Sequence, residues 1–239
     1  MKKKTIAKKI TVKKKTTKKS KNLFVNFVLD ETGSMQSCLD ATISGFNEYI
    51  GTLKRKKVGD IKFTLNKFDS AGIRTLCKGV DVEKVPELTK RNYVPGACTP
   101  LYDTIAKTIK TTEKKLKSFK KKYDVLCVIM TDGEENASIE YDLDATMTLI
   151  KKKEKSGWIF VYLGANQNAW AIGKTLGMKK GNVVKYNTAR TVETFSALAM
   201  SNVNYANSSV SSNKYGSIFS SKNRKDIEDD SNTNSSGKK

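Results

Sequence analysis

Three short stretches of this chain carry oxygen-bearing side chains at close spacing. Asp30-Glu31-Thr32-Gly33-Ser34-Met35 places a carboxylate and two hydroxyls two residues apart. Pro95-Gly96-Ala97-Cys98-Thr99-Pro100-Leu101 offers the Thr99 hydroxyl, and Met130-Thr131-Asp132-Gly133 offers the Asp132 carboxylate. Asp30, Thr32, Ser34, Thr99 and Asp132 are hard oxygen donors, and one kind of ligand suits them. Mg²⁺ takes octahedral oxygen ligands at about 2.0–2.1 Å and keeps several of its waters. Two Asp and three hydroxyls supply a mixture of direct and water-bridged contacts. With only about two formal negative charges nearby, a cation held there stays electrophilic. An open coordination position can then take a carboxylate from a partner protein, concentrating binding energy in one contact. Mn²⁺ or Ca²⁺ are the alternative ions.

Each acid has a plainer reading when taken alone. Asp30 or Asp132 could cap a following helix by accepting backbone N–H bonds. Glu31, Glu134 and Glu135 read as solvated loop acids by default, with partner selection as the second choice. Asp103 reads as a complement to the N-terminal dipole of its own helix.

The elements that would position these residues alternate. LFVNFVLD (23–30) is a short apolar run ending in an acid, as a buried strand would be. Met35, Leu39, Ile43, Phe46, Ile50 and Leu53 recur every three or four residues, which gives a helix one apolar face. IKFTLNKF (61–68) alternates like a strand, and 73–82 reads as a short edge strand. Leu101, Ile105, Ile109, Leu116 and Phe119 mark a second helix, followed by YDVLCVIMTD (123–132), the most apolar strand. A helix over 141–155, a strand over 158–166, a short helix over 168–177, VVKY (183–186) and a helix over 191–205 complete the series. Strands joined through helices predict an α/β fold, doubly wound, with a mostly parallel central sheet flanked by helices. Ligands in such sheets bind at the carboxyl ends of the strands, where all three oxygen-rich stretches fall.

The ordered set D-x-T-x-S (Asp30, Thr32, Ser34), T-P-L (Thr99) and T-D-G (Asp132) resembles the metal-ion-dependent adhesion site of von Willebrand factor type A domains. LDETGSM, ISGFNEYI, TPLYDTI, TDGEENAS and GWIFVYLGANQNA together look like a subgroup found in bacteria and their phages. The resemblance covers about residues 23–206. It implies Asp30, Ser34 and Thr99, or their waters, around the metal, with Thr32 direct or nearly so and Asp132 often through water. The family usually has Ser where this chain has Thr32; the hydroxyl is kept and a methyl is added.

Composition bounds the rest. The 239 residues carry 45 Lys and Arg against 24 Asp and Glu, a formal net charge of +21. Residues 1–22 hold 11 Lys and no acid, so 21 − 11 leaves +10 for the remainder. They read as a disordered Lys-rich arm, 23–206 as the domain, and 207–239 as a Ser/Asn-rich, mostly disordered tail. The arm reads as a possible non-specific nucleic-acid contact, because clustered Lys releases counterions from phosphate, with the domain then a scaffold. The aromatics fall mainly on strands and indicate no base-stacking platform. With no histidine, Ser-His-Asp and Cys-His catalysis are excluded, and no nucleophile–base pair suggests an enzyme. The four cysteines contain no C-x-x-C, which argues against zinc and for reduced thiols. Gly173-Lys174-Thr175 looks like the end of a phosphate loop, but Asn168 stands where the motif needs its first Gly. No apolar run suits a secretory leader or a membrane span, so the expectation is an intracellular, cytoplasmic protein, or a nuclear one in a eukaryotic host, with no membrane partner.

Overall fold

The computed structural model describes residues 20–165, 168–225 and 227. Most of the Lys-rich arm, and the chain after Ile227, lie outside these residues. The elements are β1 (Leu23–Asp30), α1 (Leu39–Lys56), β2 (Ile61–Asp69), β3 (Gly72–Asp81), α2 (Leu101–Leu116), β4 (Asp124–Thr131), α3 (Leu143–Lys155), β5 (Ile159–Ala165), α4 (Ala169–Thr175), β6 (Val183–Tyr186), α5 (Thr191–Asn207) and α6 (Ser221–Lys225).

Six strands form one sheet in the order β3-β2-β1-β4-β5-β6. Every pairing is parallel except that of the edge strand β3 with β2. Strand alternation sorts the side chains into two cores. Leu23, Val25, Phe27 and Leu29 of β1 point toward α1 and α5, where Phe27 meets Phe46, Tyr49 and Phe195. Phe24 and Val28 point the other way, into a core built with Leu101, Ile105 and Ile109 of α2 and Ile150 of α3. Among the described residues no helix is long and apolar enough to cross a membrane.

Two features of this topology matter for function. The chain leaves β1 toward β2 on one side, whereas β4 starts the run to the other side. Their adjacent carboxyl ends therefore form the crevice where α/β sheets bind ligands. The C-termini of α1, α2, α3 and α4 all gather at the opposite edge, because each helix feeds the start of a parallel strand. Their last turns are basic (Lys54, Arg55 and Lys56; Lys114 and Lys115; Lys152, Lys153 and Lys155; Lys174), which complements the helix dipoles.

The structure departs from the sequence expectation in three places. The first helix does not start at Met35: Gly33–Cys38 is a 3₁₀ segment, and regular α-helix begins at Leu39. That tighter winding accompanies the turning of Thr32 and Ser34 toward one another at the sheet edge. Ser20, Lys21 and Asn22 belong to the domain and not to the arm, since Lys21 N–H donates to Ala206 O and Asn22 O accepts from Asp124 N–H. The domain also continues past 206. Ile218, Phe219 and Ile227 are buried in the core beside α5, and Ile218 N–H donates to Asn182 Oδ1. Three apolar residues suffice to dock a segment whose composition is otherwise Ser- and Asn-rich. Ending the chain at Asn207 is expected to lower stability by several kcal/mol, at roughly 1.5–3 kcal/mol per large side chain unburied; urea unfolding measures the loss.

Candidate metal centre

The predicted site residues lie on three loops, and the fold brings all five together. Asp30 ends β1 and is fully buried; Thr32 and Thr99 are buried, and Asp132 follows β4. Ser34 Oγ donates to Asp132 Oδ1 at 2.6 Å and lies 3.3 Å from Thr32 Oγ1. Gly133 marks the centre of the group. A methyl group added there would sit 3.0 Å from Thr99 Oγ1, 3.5 Å from Ser34 Oγ and 3.8 Å from Asp30 Oδ2. Gly133→Ala is therefore expected to crowd the oxygens and weaken cation binding at least tenfold with little loss of stability; isothermal titration with Mn²⁺ checks it.

Backbone contacts hold these loops in register. Asp30 Oδ1 accepts from Thr32 N–H at 2.7 Å, and Tyr93 Oη donates to Asp30 O at 2.7 Å. Gly33 N–H donates to Ala97 O, and Gly96 N–H donates to Glu31 O. Ala97 has φ of 61°, a left-handed conformation that costs a non-glycine residue energy, and it sits where the second loop meets the first. Asn136 pairs with both sides of Thr99, accepting from its N–H at 2.8 Å and donating its own N–H to its carbonyl.

The acids around the site divide into two kinds. Glu31 is buried and fully paired: Lys67 Nζ lies 2.8 Å from Oε1, Arg74 Nη2 lies 2.8 Å from Oε2, and Val94 N–H donates to Oε1. Glu135 accepts from Ala137 N–H, Ser138 N–H and Tyr102 N–H, which ties the third loop to the start of α2. Asp103 accepts from the N–H groups of Ile139, Glu140 and Tyr141. Glu31 and Glu135 are thus structural clasps, not the solvated loop acids the sequence suggested, and Asp103 binds a neighbouring loop. Glu134 is exposed.

Asp30 and Asp132 differ from these. Among the described residues no ion pair reaches either carboxylate, although the chain carries 45 basic residues. Burial pushes the Asp30 carboxyl up to about 6; hydrogen bonds from Thr131 and Thr32 oppose that rise, and the Asp132 charge adds to it. Burial also raises Asp132, against the bond from Ser34. Two buried carboxylates without a basic partner, ringed by three hydroxyls, form a donor set that fits a hard divalent cation. Among the described residues no group of three or more His, Cys, Asp or Glu converges, so a cation here would rest on the hydroxyls as well as on the two carboxylates.

Sequence reasoning gave no site role to Thr131, whose hydroxyl donates to Asp30 Oδ2, to Gly133, or to Asn136. All three lie in or beside the T-D-G stretch, so proximity to Asp132 was the available signal. The Gly-Lys-Thr sequence has an ordinary explanation. Gly173 lies inside α4, and a methyl group there would come within 2.4 Å of Val183, so the glycine lets α4 pack against β6.

No protein-family profile and no curated protein matches the sequence. Solved structures do. Proximal thread matrix protein 1 from the mussel byssus matches at a TM-score of 0.60 and 14% identity, over 78% of this chain and 49% of its own. A von Willebrand factor type A protein from Catenulispora acidiphila matches at 0.51 and 13%, over 77% and 43%. The manganese-loaded TRAP protein of Plasmodium vivax matches at 0.51 and 14%, over 72% and 71%. The chain spans about half the length, or less, of the first two. The six-stranded, mostly parallel sheet with its flanking helices is a von Willebrand factor type A-like fold.

Proposed function

We propose that this domain binds one divalent cation, Mg²⁺ or Mn²⁺ in the first instance, through Asp30, Thr32, Ser34, Thr99 and Asp132, and thereby binds a protein partner through an acidic side chain. The observation that carries this reading is the convergence of Asp30, Ser34 and Thr99 oxygens on the open side of Gly133, with Thr32 and Asp132 joined to them through Ser34. A bound divalent cation would supply positive charge and exchangeable coordination positions for a partner's carboxylate. The protein's own contribution is positioning. Thr131 and the Thr32 N–H orient Asp30, Ser34 orients Asp132, and Asn136 fixes Thr99. Glu31, neutralised by Lys67 and Arg74, adds no free charge to the site. A similarly folded protein whose solved structure is manganese-loaded supports the reading. The role is binding, not turnover, in keeping with a chain that has no histidine.

Thermal unfolding in EDTA, Mg²⁺, Mn²⁺ and Ca²⁺ tests the cation. A ligand at 100 times its dissociation constant stabilises by about 2.7 kcal/mol. For a domain of this size that corresponds to a rise in Tm of roughly 5–10 °C. The same rise in Asp30→Ala/Asp132→Ala would place the binding elsewhere. Partner capture should be lost in EDTA and restored by Mn²⁺.

A further inference from the structure

A second concave surface lies beside the edge strand β6 and shares no residue with the candidate cation site. Between α3, α4 and the start of β6, a groove of about 820 Å³ is lined by Lys151, Trp170, Lys174, Met178, Lys180 and Val183, with Gly177 at its rim. Lys151, Lys174 and Lys180 are exposed, and no acidic side chain lines the groove. Gly177 adopts φ of +75°, and a methyl group there would come within 2.7 Å of Lys151 Cε, so the lysine stem lies flat across the glycine. The Arg224 guanidinium sits 4.7 Å from the Trp170 ring centroid, and its side chain donates to the carbonyls of Gly181 and Val183, which fixes the indole against β6.

We infer that this groove seats a nucleobase of a single-stranded nucleic acid on Trp170, with Lys151, Lys174 and Lys180 holding the flanking phosphates. Each part of the site matches one part of that ligand. The half-buried Trp170 ring, with Met178 and Val183 beside it and the Arg224 and Lys180 cations 4.7 and 5.9 Å from its centroid, is the group on which a base would stack, which every base can use. Three ammonium groups around it meet a chain carrying one phosphate per nucleotide. A duplex keeps its bases paired and stacked, so its bases cannot enter a recessed groove. A bilayer is met by apolar side chains that protrude, whereas this indole is recessed and clamped. The groove is not visible in any one stretch of sequence, because its lysines come from three separate elements.

The test uses the full chain in EDTA, so that it is independent of the cation site. Binding of a fluorescent 20-nucleotide oligothymidylate is followed by anisotropy across a salt series, together with intrinsic tryptophan fluorescence. Wild type should bind with strong salt dependence and show quenching that is absent in Trp170→Leu. Trp170→Leu should weaken binding about tenfold or more. Lys151→Glu/Lys174→Glu/Lys180→Glu should weaken it at least as much and reduce the log–log salt slope by about 2, at roughly 0.7 per phosphate contact. Circular dichroism and thermal unfolding confirm that both variants stay folded. Binding that survives both variants but disappears when residues 1–19 are removed would overturn the proposal in favour of the arm alone. Binding to phosphatidylserine vesicles without binding to the oligonucleotide would overturn it in favour of a membrane surface.

Discussion

Glu31→Gln is expected to cost about 3–5 kcal/mol of stability, the range for removing one member of a buried ion pair. Lys67 is buried like its partner, its side chain 7% exposed against 2% for Glu31. The neutral amide keeps one oxygen that can accept from Lys67, beside the Asn92 carbonyl, but it leaves the buried ammonium without a countercharge. Arg74 keeps Asp69, so the charge left uncompensated is that of Lys67. The effect should reach the site as well. Val94 N–H donates to Glu31 Oε1, and the Gly96 N–H donates to its carbonyl, so Glu31 clasps the loop that delivers Thr99. Urea unfolding gives the stability loss, and a Mn²⁺ titration on the folded variant gives the effect on affinity. Glu31→Leu/Lys67→Met should recover much of the stability, because replacing a buried pair by apolar groups is often neutral. A loss below about 1 kcal/mol for the single variant would show that the pair is effectively solvated.

Asp30→Asn is expected to have opposite effects on stability and on cation response. The Asp30 carboxyl is raised from 3.8 to about 6 in the folded state, chiefly by burial. Between those values the folded state holds more protons than the unfolded state. The stability of the cation-free protein therefore falls as pH rises from about 4 to about 6, and is flat above. Two pH units correspond to about 3 kcal/mol at neutral pH. Asparagine carries no charge, yet it gives up one acceptor of the two that Thr32 N–H and Thr131 Oγ1 use. In EDTA at pH 7.5 the variant should be about 1–3 kcal/mol more stable than wild type, with the difference vanishing near pH 4. A bound cation favours the carboxylate, so the wild-type response to Mg²⁺ or Mn²⁺ should grow from pH 5 to pH 7, whereas the variant shows none. Greater instability of the variant in EDTA at pH 7.5 would mean that the Asp30 charge is satisfied by the protein itself.

The fold and the five oxygens were legible because their signals are local. The fully buried β1 ends in Asp30, and β4 ends in Thr131 with Asp132 directly after it. Alternation along β1 sorts Val25 and Phe27 from Phe24 and Val28 without knowledge of any partner. What was not legible depends on distance. Glu31 is clasped by residues 36 and 43 positions away, so no window of sequence around it reveals the pair. Ser34 lies in a 3₁₀ segment whose helical spacing is indistinguishable from that of α1. Ile218, Phe219 and Ile227 are isolated apolar residues in a polar stretch, and only the surface beside α5 shows that they have somewhere to go. The Trp170 groove joins Lys151 of α3 to Lys180 before β6, a pairing set by the right-handed crossover and not by any motif.

The most direct measurement is a count of bound Mn²⁺ by electron paramagnetic resonance, in which only the free ion gives the sharp solution signal. Wild type should remove one Mn²⁺ per chain from solution and release it to excess Mg²⁺. Asp30→Ala/Asp132→Ala, folded by circular dichroism, should remove none. Equal uptake by wild type and variant, or no uptake by either at millimolar Mn²⁺, would contradict the assignment of these five residues as a cation site.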